Sequence, residues 1–174
     1  CALPIFNINR IPLPDYLGGA HFTWQILNQS FDGGAFVQQI TEEIDRGPIA
    51  LKKNFLLSKK FHYPSDYEEF NYLKGLDLVR EFIELIIKNK NIVLDHSCLD
   101  WSELSYFPRL NTSKNAWINW QWSALDIQLF CNAFDSPYPG ARSTLNGKTV
   151  LFRNVILHKN DTYHPYCSGL IIRD

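Results

Sequence analysis

From Ser65 to about Asn89 the sequence carries one unbroken helical pattern. Phe70, Leu73, Leu76, Val79, Phe82, Ile83, Ile86 and Ile87 recur at the spacing of an amphipathic stripe. Ser65 with Glu68 reads as a capping box at its start. A helix of this length needs a surface on which to bury its stripe. Strand-like runs over residues 2–8, 35–40 and 48–56 supply one. Between them lie a loop at 9–19, a short helix at 20–29, a turn at Asp32-Gly33-Gly34 and a loop at 41–47. The class is α/β, and the stripe is core without chemistry.

The pattern changes after the helix. Residues 91–116 are irregular, yet Trp101, Tyr106 and Phe107 are too aromatic for a solvated tether. This segment is read as crossing a surface. A second helix is expected from Ser123 to Phe134, then a turn in PYPGA at 137–141. Asn146-Gly147 between apolar runs signals a hairpin leading into a strand from Lys148 to Leu157. HPYCSGLII, residues 164–172, reads as a later strand.

Composition excludes several classes. The 174 residues are 45% hydrophobic, with a net charge of −1. Residues 1–108 hold ten basic and fourteen acidic side chains, and residues 109–174 hold seven and four. Nothing in that balance asks for nucleic acid. Cys1, Cys98, Cys131 and Cys167 show no paired spacing, so neither a metal site nor a disulfide framework is expected. No run is long enough to span a membrane, and no signal segment opens the chain. A cytoplasmic protein is the default. Strand-like runs at both ends lack an evident neighbour, so the chain is expected to be part of something longer.

Asn7 and Asn9 close the first strand, where ligands of open α/β sheets bind. A side-chain amide there can donate to a developing oxyanion. Asp45, in Asp-Arg-Gly-Pro, would by itself be a turn residue. His62, His96, His158 and His164 have no metal spacing and read as surface or packing residues. Gln38 and Gln39 are strand polars near the same edge, and His21 can point at the cleft from its helix.

NINRIPLPDYLGG at residues 7–19 resembles the active-site loop of the folate-dependent formyltransferases, with Asn7, Pro14, Tyr16 and Gly18 in register. Asn9 stands where that family carries its His. GAFVQQITEEIDRGPI, residues 34–49, is similar to the family segment ending Asp-x-Gly-x-Ile, matched by Asp45, Gly47 and Ile49. WINWQWSALDIQLFCNAFDSPYPGA, residues 117–141, resembles the opening of the C-terminal domain of methionyl-tRNA and sugar formyltransferases, with Asn119 where Asp is usual.

The resemblance implies a fold and an activity. The fold would be the C-terminal half of a Rossmann-like formyltransferase domain over residues 1–95, a linker at 96–116, and a small OB-like β-barrel domain over 117–174. Trp117, Trp120 and Trp122 would pack the junction, and Gly140 would permit a tight turn. The activity would be formyl transfer from 10-formyltetrahydrofolate, as co-substrate, to an amine. The family roles make Asn7, Asn9 and Asp45 catalytic, Gly47, Ile49 and Gln39 cofactor-binding, and Tyr16, Gly18 and His21 substrate-binding. The slight acidity of the catalytic half favours a nucleotide-linked amino sugar over initiator tRNA as acceptor. A methionyl-tRNA formyltransferase and a non-catalytic folate- or sugar-nucleotide-binding module are the alternatives.

Overall fold

The computed structural model describes residues 4–88, 91–96, 104–158 and 162–172. Three strands, β1 (Phe6–Asn9), β3 (Asp32–Gln39) and β4 (Ile49–Leu56), form one sheet in the order β1-β3-β4. Both pairings are antiparallel, with Phe6 opposite Gln39 and Asn9 opposite Phe36. The chain is α/β as expected, but this sheet lacks the parallel pairing of a Rossmann-like half.

Strand alternation gives the sheet two different faces. Phe6, Ala35, Val37 and Leu51 face α2 (Pro64–Ile87), where they meet Leu78 and Phe82. Phe6 and Phe82 touch edge to face at 4.9 Å. On the other face Phe36 is buried with Ile11, Leu13, Leu17 and Ile49 under the loop that follows β1. Gly33 and Gly34 belong to β3 and not to the expected turn. Their bare backbones let neighbours close in: a Cβ at Gly34 would sit 2.6 Å from the Ile11 carbonyl oxygen, and one at Gly33 would strike the Phe55 ring.

The long helix begins at Pro64, where a fixed φ suits a first turn. Its cap is the Asp66 carboxylate, which accepts the amides of His62 (2.8 Å) and Tyr63 (3.0 Å). Ser65 and Glu68 do not form the expected box. The buried face is also rotated from the expected stripe. It runs through Tyr67, Asn71, Gly75, Leu78 and Phe82, while Leu73, Ile83, Ile86 and Ile87 are exposed, Ile87 to 73%. Apolar counting passed over Asn71 and Gly75. The Asn71 amide donates to the Tyr67 carbonyl (2.8 Å), and Gly75 leaves room for the aliphatic part of Arg10.

A second core joins the two ends of the chain. Phe22 and Ile26 of α1 (His21–Leu27) pack with Tyr67 and with Phe130, Cys131, Ala133 and Phe134 at the end of α4 (Ala124–Ala133). Thr23 donates to the Ala133 carbonyl (2.9 Å), and the Trp24 indole donates to Pro108 (2.9 Å). This core spans the expected boundary at 96–116. There β5 (Tyr106–Phe107) pairs parallel with β2 (Leu17–Gly18), and α3 (Thr112–Asn115) follows. Trp101, Cys1 and Cys98 lie outside the described residues.

Ser123 caps α4 through the Asp126 amide (3.1 Å). The expected hairpin is present as β6 (Ala141–Leu145) and β7 (Lys148–Phe152), turning at Asn146 and Gly147, both at positive φ. Residues 162–172 form a short 3₁₀ turn at Pro165–Cys167 and no strand, because Pro165 lacks an amide and Gly169 bends against Trp120. Two paired strands do not close a barrel. Trp120 and Trp122 pack on Phe152 and Phe130 within this part, and Trp117 is 42% exposed.

Candidate functional site

The register of β1 against β3 builds the site. Asn7 lies opposite Gln38, and Asn9 is two residues on. Period-two alternation puts all three side chains on the face that carries Phe36. Asn7 Nδ2 donates to Asn9 Oδ1 at 3.3 Å, and Asn9 Nδ2 donates to Gln38 Oε1 at 3.5 Å. Gln38 Nε2 donates to the carbonyls of Asp45 (2.9 Å) and Gly47 (2.8 Å). Gln38 is only 3% exposed, so this buried amide ties the loop at 41–47 to the strand pair.

A bulge between Val37 and Gln38 lets the chain turn into that loop. Asp45 sits at its tip at φ 56, with its side chain exposed. Asn7, Gln39, Asp45 and Gly47 line one open pocket of about 240 Å³, beside Glu42 and Glu43. Gln38 also reaches it. Sequence reasoning weighed Gln38 and Gln39 alike and assigned a role only to Gln39. Alternation from the buried Phe36 would have singled out Gln38 as the inward residue.

The other assigned residues lie elsewhere. Ile49 is 3% exposed in the core beneath the loop, so its side chain does not reach the pocket. Tyr16 is buried and stacked on Phe107 at 4.8 Å, with its amide held by Ser105 Oγ (3.1 Å). Gly18, at φ 101, lies against the Phe107 carbonyl. His21 packs edge-on against Phe22 at 4.0 Å, and its Nε2 has no partner among the described residues. Burial, reinforced by Arg10, lowers its pKa from 6.5 to about 4, so the ring is neutral at pH 7.

That shift has a sign. The unfolded chain takes a proton on His21 below pH 6.5 and the folded chain resists until about pH 4. The contribution of neutral His21 is therefore complete above pH 6.5 and is lost as pH falls toward 4. The melting temperature will drop across that window, and His21→Gln will flatten the slope. An unchanged slope in the variant would assign it to other groups.

Among the described residues no cluster of three or more His, Cys, Asp or Glu can hold a metal ion, and no helix is long and apolar enough to cross a membrane.

Residues 111–174 match the formyl transferase C-terminal domain. The methionyl-tRNA formyltransferase of Fervidobacterium nodosum is 30% identical over 172 residues, covering 99% of this chain and 53% of that protein. The chain thus spans about half the length of that curated relative. The crystal structure of WlaRD, a sugar 3N-formyl transferase in the presence of dTDP and 5-N-formyl-THF, superposes with a TM-score of 0.58. It shares 25% identity, over 75% of this chain and 46% of that one. A 4-N formyltransferase from Francisella tularensis shares the fold, with a TM-score of 0.67 and 21% identity over 88% of this chain and 62% of that one. Residues 111–174 thus carry the likeness of a formyl transferase C-terminal domain, and the chain as a whole is similar to formyltransferases along its length.

Proposed function

We propose that the chain forms the reacting face of a cytoplasmic formyltransferase. It would move a formyl group from 10-formyltetrahydrofolate to the amine of a nucleotide-linked sugar. The observation that carries this is the buried Gln38 amide, which accepts from Asn9 on one side and donates to the Asp45 and Gly47 carbonyls on the other, beside a pocket lined by Asn7 and the Asp45 loop.

The chemistry follows from the donor set. The acceptor amine attacks the formyl carbon and its carbonyl oxygen takes up negative charge. Collapse breaks the bond to the folate nitrogen, which gains a proton as the amine loses one. Asn7 and Asn9 supply N–H donors to the oxyanion. Their present bonds, 3.3 and 3.5 Å, are long and easily exchanged for a ligand. Asp45 receives the amine proton. An amide does not titrate in the useful range, so Asn9 is neither acid nor base. Gln39 and Gly47 border the formyl end of the donor. A pocket of about 240 Å³ admits that end and not a whole folate. Residues 1–95 carry this site, and 117–174 open an OB-like domain in which the β6–β7 hairpin supplies two strands.

The sugar reading is supported by the likeness to a sugar formyltransferase solved with dTDP. The 30% identity to a methionyl-tRNA formyltransferase supports initiator tRNA as the second reading. Formylation of dTDP-linked amino sugars and of methionyl-tRNA by the whole protein separates the two. The tRNA reading also requires binding that weakens steeply with salt.

Asn9→His tests the site itself. General acid–base catalysis contributes about 10²–10⁴-fold, and a ring at this position, linked through Gln38 to the Asp45 loop, will restore at least about tenfold of it. No gain alongside robust wild-type turnover would place the acid–base work on another residue. No activity in either protein, with folate still bound, would leave a non-catalytic binding module.

A further inference from the structure

A second cavity, of about 430 Å³, opens at the other end of the sheet. Phe31, on its wall, immediately precedes β3, whereas Gln38 lies near the far end of that strand. At a strand rise of roughly 3.3 Å per residue the two sites are about 20 Å apart. The cavity sits in the seam between α1, the start of α2 and α4. Its volume is in the range of small-molecule sites, roughly 300–1,000 Å³.

The lining has a polarity gradient. Phe31, Phe61 and Tyr67 give it an aromatic wall. At depth lies Asn132, 7% exposed, whose Oδ1 has no hydrogen-bond partner among the described residues. A buried acceptor left unpaired is costly, so a donor from a ligand would relieve it. Gln128 spends its Nε2 on the Val155 carbonyl (3.2 Å), which leaves its Oε1 as a second acceptor. At the rim are the exposed Lys59 and His62.

We infer that this cavity is a second, non-catalytic ligand site for a nucleotide whose base carries an exocyclic amine. The flat ring stacks against the aromatic wall. The two amine hydrogens match the two amide oxygens, and the phosphate meets Lys59 at the mouth.

Calorimetric titration of the whole protein with 5′-AMP, adenosine and ribose 5-phosphate tests each part. AMP will bind saturably and more tightly than either fragment. Lys59→Glu, a change at an exposed position, will weaken AMP by about tenfold or more and leave adenosine unchanged. Asn132→Leu will weaken both AMP and adenosine, and Gln38→Leu will change neither. AMP binding no better than the fragments would overturn the inference. So would AMP affinity indifferent to Lys59→Glu, or affinity lost in Gln38→Leu, which would move the ligand to the Asn7–Asp45 pocket.

Discussion

Gly47→Ala will strip the protein of its proposed formyl transfer and lower its melting temperature. The added Cβ would run into the backbone carbonyl of Gln39, a group with no rotamer to change. That strand end cannot simply step aside. The Gln39 amide donates to Pro48 (3.0 Å), and the Gln38 side chain holds both Asp45 and Gly47. Overpacking of this kind costs about 1–3 kcal/mol. For a chain of this size that is a fall of about 2–12 °C. The Asp45 loop moves with the clash, so activity falls further than stability. Gln38→Leu separates the two effects. It keeps the shape but leaves two carbonyls unpaired, at about 1–3 kcal/mol each. A Gly47→Ala protein that melts and reacts like wild type would show that the loop is not fixed by this packing.

Asp135→Ala will be the most destabilising change in the C-terminal part. Its carboxylate is buried and accepts the Asn154 amide (2.6 Å), the Ser136 amide (2.7 Å) and Arg153 Nε (2.9 Å). These bonds hold the end of α4 to the chain leaving β7. Alanine leaves the Ser136 and Asn154 amides, both in part-buried bonds, without this acceptor, which costs about 1–3 kcal/mol. The titration of this group adds a signature. Burial by itself would raise its pKa, but the Asn154, Arg153 and Ser136 bonds outweigh it and hold the carboxyl below its ordinary 3.8. The stabilisation is therefore complete above about pH 4 and is lost as pH falls from there through the depressed value. Acid unfolding of wild type and variant will converge at low pH. Curves that stay parallel would remove Asp135 from the acid response.

Local chemistry was legible in the sequence wherever a short signal has one reading. The helix expected from Ser123 is present, and Asn146-Gly147 gave a hairpin, because both depend on neighbours within a few residues, although the equally local box at Ser65 and Glu68 gave way to an Asp66 cap. Readings that depended on distant partners failed. Gly33-Gly34 looks like a turn until Phe55 of β4 and Ile11 of the loop after β1 close on it. The stripe of α2 was misplaced because an apolar count cannot see that the Asn71 amide donates to the Tyr67 carbonyl within the same helix and that Gly75 makes room for Arg10. Asn7, Asn9 and Asp45 were legible as a set only through their family register. Gln38, which joins them, is an unremarkable strand polar until the register with β1 is known.

The core shared by α1 and α4 sets an order on synthesis. Phe22, Ile26 and Tyr67 emerge early, yet half of what covers them lies between Ala116 and Ala141. Thr23 waits for a carbonyl 110 residues downstream. A nascent chain that stops before Ala141 therefore holds an open apolar surface, and that interval is when a chaperone would be needed.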